Sequence, residues 1–208
     1  MIEYWNPKWY WKGHFDIGQK IESNSIIDEC LRDETIWNDP PEWSKFCNVK
    51  ASTTYRESDS VLKDFLDVVK PSFQQFIDEM NWKGEVEIKP DGLWVNKYGR
   101  NDHQEFHNHA MSSCNISMVY FHKITKPTFR FFDPDWMPNR ASGLADVMEL
   151  PNFEVITPEC KQGDIIIFPS QYGHMVSPNE SDDLRITVSG NFKVMRREMT
   201  LNELAQFS

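Results

Sequence analysis

Gln104-Glu105-Phe106-His107-Asn108-His109, answered downstream by Gly163-Asp164-Ile165-Ile166-Ile167-Phe168-Pro169, His174 and Arg185, decides how this chain is read. Side chains alternate along a strand, so His107 and His109 point to one face if Glu105 to His109 is a strand, and one metal ion can bridge them. A distant third histidine, His174, would close the site. Arg185 supplies a fixed cation where an anionic cosubstrate can dock. The combination implies a mononuclear metal enzyme in a β-barrel, with three protein ligands and open coordination positions.

Outward from that stretch the hydrophobic period is two. Strands are expected at Glu85 to Lys89, Leu93 to Tyr98, Glu105 to His109, Ile116 to His122, Thr128 to Phe132, Phe153 to Ile156, Asp164 to Phe168, Gly173 to Val176 and Leu184 to Phe192. Before Gly84 the period is helical. Ile26, Ile27, Cys30 and Leu31 predict a short helix from Asn24 to Trp37, capped by Asn24 or Ser25 and ended by Asp39-Pro40-Pro41. Leu62, Phe65, Leu66, Val69, Phe73, Phe76, Ile77 and Met80 predict a second between Ser60 and Trp82, kinked or split by Pro71. The fold class is α+β: a double-stranded β-helix, or jelly roll, with N-terminal helices packed against it. One domain is expected over 1–208, helical over 1–84, a jelly-roll core over 85–195 and a tail over 196–208. The connection from Asp133 to Pro151 reads equally as an active-site lid or a mobile surface loop.

A formal charge of −10 argues against nucleic acid, whose affinity for proteins comes from Lys and Arg neutralising phosphates. No apolar run is long enough for a bilayer and no signal peptide is visible, so no membrane partner and a cytoplasmic location are expected. Cys30, Cys47, Cys114 and Cys160 form no C-x-x-C pair and read as reduced, packed thiols. Trp5, Trp9, Tyr10, Trp11, Phe15, Trp37 and Trp43 read as core or subunit contact, leaving a homodimer open, rather than as a substrate-stacking surface. The expected substrate is a small molecule or a peptide.

Further residues fall into a known order: Trp94-Val95-Asn96, His107-Asn108-His109, Ser117 to Tyr120, Phe131-Phe132-Asp133-Pro134, Gly163 to Pro169, His174 and Arg185-Ile186-Thr187. Here the chain resembles the iron(II)- and 2-oxoglutarate-dependent oxygenases, particularly a small bacterial and phage group with a His-x-His motif. The resemblance spans Leu93 to Phe192, and its order and spacing are more specific than any single motif. It implies that His107, His109 and His174 hold iron(II), and that Arg185 and Thr187 hold the distal carboxylate of 2-oxoglutarate, with Tyr120 and Asn96 as further candidates. The implied activity is a dioxygenase that hydroxylates its substrate and releases succinate and carbon dioxide.

One departure stands out. Most members use two histidines and a carboxylate, and here His109 takes the carboxylate position. A carboxylate could come instead from Glu105 or Asp133, or from the earlier His103-Gln104-Glu105. A cupin-type dioxygenase without 2-oxoglutarate fits the histidines, but the glutamate it needs soon after His-x-His is missing and Arg185 has no purpose there. A non-catalytic jelly-roll binding module is the third reading.

Overall fold

The computed structural model describes residues 8–38, 46–52, 54–55, 59–134, 141–143, 147 and 155–197. Trp5, Trp43, the Asp39-Pro40-Pro41 turn, most of the connection from Asp133 to Pro151 and the tail beyond Arg197 lie outside them. The described elements run β1 (Trp11–His14), α1 (Ile17–Arg32), a 3-10 turn (Glu34–Ile36), β2 (Trp37–Asn38), β3 (Lys50–Ser52), α2 (Ser60–Glu79), β4 (Val86–Tyr98), β5 (Gln104–His107), β6 (Ile116–Lys123), β7 (Phe129–Phe132), β8 (Val155–Ile156), β9 (Asp164–Pro169), β10 (His174–Val176) and β11 (Arg185–Arg196). They form a seven-stranded sheet, β1-β9-β6-β11-β4-β3-β2, and a four-stranded sheet, β5-β10-β7-β8, with every described pairing antiparallel.

The larger sheet is the middle layer. On one face Leu93, Val95, Met118, Tyr120, Ile165, Ile167, Ile186, Val188 and Phe192 pack with Ile27 of α1 and Phe65, Val69, Phe73 and Phe76 of α2. On the other face Tyr98, Val119, Phe121, Ile166 and Phe168 pack with Phe129, Phe131 and Val176 of the smaller sheet. Burial on both faces explains why β9 is apolar without alternation after Asp164 and buried at every position. The site residues of β11 face the smaller sheet.

The helices depart from the sequence expectation in register. Asp16 caps α1 by accepting from Gln19 N–H while Gln19 returns a bond to the Asp16 backbone, so the helix begins well before Asn24. It ends at Arg32, where Asp33 turns outward and caps the 3-10 turn instead. Pro71 does not split α2, which is one helix from Ser60 to Glu79. Interior proline costs about 3 kcal/mol, and burying Phe65, Val69 and Phe76 at about 2 kcal/mol each more than offsets it.

The two strands expected between Glu85 and Tyr98 are one, β4. Pro90-Asp91-Gly92 makes no turn but a bulge, since Asn191 pairs with Gly92 and Phe192 with Pro90, leaving Asp91 as the extra residue. β1, β2 and β3 were not expected as strands; β1 pairs the aromatic segment to β9. Trp11 and Phe15 are buried and Trp9 packs against Phe76, in keeping with a core role. The four cysteines are free and buried. Gly163 has φ +90°, which explains glycine at the turn into β9. No helix among the described residues is long and apolar enough to cross a membrane.

Candidate active site

His107 is the last residue of β5 and His174 the first of β10, and the two are register partners. His109 lies past the end of β5, held by its backbone N–H to the Ser170 carbonyl at 2.8 Å. The strand expected through His109 therefore stops short, and alternation is not what brings the two rings together. They still meet. Ring centroids are 5.0 Å apart for His107 and His109, 4.2 Å for His107 and His174, and 5.2 Å for His109 and His174. One ligand atom from each lies within 4.8 Å of the others, a set that could hold a metal ion.

The ring protons are placed for this. His107 Nδ1 donates to the Glu105 carbonyl and His174 Nδ1 to the Tyr172 carbonyl, both at 2.8 Å. In a neutral ring that leaves the Nε2 lone pair available. Burial holds all three imidazoles below their ordinary pKa, His109 down to about 4 with help from the charge of His107, and His174 well below. The rings are neutral at neutral pH, the form a metal requires. Gln104 Nε2 sits 3.2 Å from His107 Nε2 and donates to that lone pair, so it must withdraw for a metal to coordinate there.

Arg185 and Thr187 lie on the cavity face of β11, and the same interior space is lined by the three histidines, Trp94, Tyr98, Gln104, Ser189 and Asn191. Arg185 is 3% exposed. It donates from Nη1 to Thr128 Oγ1 at 2.7 Å and from Nη2 to the Ser177 and Asp102 carbonyls at 3.1 and 3.4 Å, and its guanidinium lies 4.2 Å from the Tyr98 ring centre. Its Nε has no hydrogen-bond partner, and Arg185 forms no ion pair with a described residue. A buried cation with an unmet donor is costly, so the residues present fit an anion. The open space beside it is narrow, about 20 Å³. Room for a cosubstrate comes from side-chain movement, and withdrawal of Gln104 is the movement that metal binding already demands.

Two sequence candidates change place. Tyr120 points to the opposite face of the larger sheet: its ring stacks on Phe15 at 4.1 Å and its hydroxyl is 3.1 Å from Ser23 Oγ of α1. It does not line the cavity, and its assignment to cosubstrate is corrected. Asn96 stands behind the lining, donating from Nδ2 to Thr187 Oγ1 at 3.2 Å and Ser189 Oγ at 2.9 Å. Glu105, Asp133 and His103 are absent from the cluster of ligand atoms, and Asp133 pairs with Lys8. Sequence reasoning missed Tyr98, Thr128, Gln104 and Asn191. The two-residue period of Trp94, Asn96 and Tyr98 on β4, and of Arg185, Thr187, Ser189 and Asn191 on β11, was the available signal for Tyr98 and Asn191.

Residues 92–191 match the model of a family described as putative 2OG-Fe(II) oxygenases, and that stretch holds all three histidines and Arg185. Over this stretch, just under half of its length, the chain is similar to the 2OG-Fe(II) oxygenases. That family uses iron(II) and 2-oxoglutarate. Solved structures show the same jelly-roll fold in this oxygenase group. A prolyl-4-hydroxylase from Pseudomonas putida is 13% identical, with 92% of this chain and 94% of that chain covered and a TM-score of 0.59. A prolyl hydroxylase from Trichoplax adhaerens, in complex with a hypoxia inducible factor peptide, is 9% identical over 88% and 83%, with a TM-score of 0.61. HygX from Streptomyces hygroscopicus, with nickel and 2-oxoglutarate bound, is 9% identical over 89% and 83%, with a TM-score of 0.58. No curated protein matches the chain in sequence.

Proposed function

We propose that this oxygenase is a hydroxylase in which His107, His109 and His174 hold iron(II) and Arg185, with Thr187, holds the distal carboxylate of 2-oxoglutarate. The observation that carries the reading is the buried Arg185, with its unmet Nε, in the cavity that three neutral imidazoles also line. With iron(II) held there, dioxygen would be the oxidant and 2-oxoglutarate would supply two of the four electrons: one oxygen atom would end in succinate as carbon dioxide leaves, and the other would enter a substrate C–H bond.

The protein's own residues bind, orient and exclude water. Asn96 donates to Thr187 Oγ1, so the threonine proton is not spent on Asn96 and can turn from Tyr98 to a carboxylate. Burial raises the Tyr98 phenol well above its ordinary range, so it stays protonated, donating to Gln104 Oε1 at 3.1 Å while its ring covers Arg185. A separate space of about 350 Å³ reaches His107 and His109 and is lined by Trp94, Met111, Asn191, Thr54, Asp91 and Glu105. This space suits a small molecule or the side chain of a peptide, and the substrate reaches the reacting centre through it.

Anaerobic titration with iron(II) and then 2-oxoglutarate tests the reading, through the weak visible band of a chelated 2-oxo acid. Wild type should show the band, and His174→Ala should bind no iron. Arg185→Ala should keep iron affinity and weaken 2-oxoglutarate about ten- to a hundredfold, the equivalent of a charge-assisted hydrogen bond of roughly 1.5 to 3 kcal/mol. Unchanged 2-oxoglutarate binding in Arg185→Ala would remove the clamp. Iron-dependent oxidation without a need for 2-oxoglutarate would instead restore the cupin reading.

A further inference from the structure

Three polar side chains are buried beside His109 with no part in the chemistry described so far: Ser117 at 2% exposure, Ser170 at 1% and Asn191 at 4%. They form a chain. Ser117 Oγ lies 2.9 Å from Ser170 Oγ and donates to Asn191 Oδ1 at 2.8 Å; Asn191 Nδ2 then lies 3.5 Å from His109 Nδ1. His107 and His174 each have Nδ1 settled by a backbone carbonyl, which can only accept. Of the three Nδ1 atoms, that of His109 faces a side-chain amide instead, which can donate or accept.

We infer that Asn191 is the positioning residue for His109, and that its amide turns over when metal binds. The inference rests on the three-histidine centre proposed above. In the present orientation Asn191 Nδ2–H addresses His109 Nδ1, so the proton of the neutral ring sits on Nε2, and neither nitrogen offers a lone pair. Turning the amide about its Cβ–Cγ bond exchanges two groups of nearly equal shape. The ring gives its Nε2 proton to solvent and takes one up at Nδ1; Oδ1 accepts from that Nδ1–H, and the Nε2 lone pair is freed. Nδ2 donates to Ser117 Oγ, and Ser117 passes its own proton to Ser170 Oγ instead of Asn191. Asn191, Ser117 and His109 Nδ1 remain matched in both states. The serines thus have a purpose: hydroxyls can reverse the direction of a hydrogen bond, and apolar residues of the same size cannot. Asn191 is the outer partner that fixes the ring's tautomer and orientation, as a carbonyl does for the other two histidines.

The test is the affinity of the full chain for cobalt(II) and for iron(II) under anaerobic conditions, measured by competition with a coloured chelator. Asn191→Leu removes the acceptor and should weaken both metals about 10- to 100-fold. Asn191→Asp presents an acceptor only, so it should bind at least as tightly as wild type. A merely structural asparagine would give the opposite order, because a buried carboxylate costs more than leucine. Wild-type affinity in Asn191→Leu, or an Asn191→Asp as weak as Asn191→Leu, overturns the inference. If the leucine variant does not fold, the aspartate variant decides alone. His174→Ala separates the two levels: metal retained there removes the three-histidine centre and the relay with it, whereas metal lost there but kept in Asn191→Leu removes the relay only.

Discussion

His109 shows at the scale of a residue how much of the site was open to sequence reading. The histidines and Arg185 stood out because their chemistry is unusual in a strand, and their spacing is recorded in the chain itself. Tyr98, Gln104 and Asn191 did not, because a tyrosine or an amide within a strand is ordinary until its neighbours are known. The burial of His109 has its own consequence. Its pKa falls from about 6.5 in an unfolded chain to about 4 in the fold, so the unfolded state binds the proton more readily between those values. Above pH 6.5 the ring is neutral in both states and makes no difference. As pH falls through that window the metal-free protein should lose stability, by roughly 3 kcal/mol for this group at the lower end. Urea unfolding at pH 7 and pH 4.5 measures the loss, and His109→Ala should show a shallower one. Equal losses in the two proteins would mean that this ring is not buried neutral.

Tyr120 poses the question at the scale of an element. Alternation states which residues of β6 share a face, but both faces of that strand are buried, so nothing in Ser117 to Phe121 tells which one meets the cavity. The structure gives Ser117, Val119 and Phe121 to the cavity side and Tyr120 to α1. Tyr120→Phe should therefore leave 2-oxoglutarate affinity unchanged while costing about 1 kcal/mol for the lost bond to Ser23. Calorimetric titration beside thermal unfolding checks both, and a loss of cosubstrate affinity would return Tyr120 to the site. The same limit explains β4 and α2. Pro90-Asp91-Gly92 and Pro71 are local stop signals, and pairing with β11 in one case and an apolar stripe in the other carried the element through.

For the whole molecule, the larger sheet separates two cores, and the candidate metal ligands are spread across strands of unequal support. β11 is paired on both sides, with β4 and β6, and covered on both faces. His107 and His174 belong to the smaller sheet, whose strands run two to four residues. Backbone amides of β6 and β11 should then exchange with deuterium most slowly, and those of β5, β7 and β10 much faster, since small units open with less free energy than the whole. An ion that ties β5 and β10 to the loop carrying His109 raises the cost of that local opening by RT ln(1 + [L]/Kd), about 2.7 kcal/mol at a hundredfold excess over Kd. Metal loading should slow exchange about a hundredfold in the smaller sheet and hardly at all in β11. The ion would act as a clasp on the weaker half of the barrel, and iron supply would set how long that half stays shut.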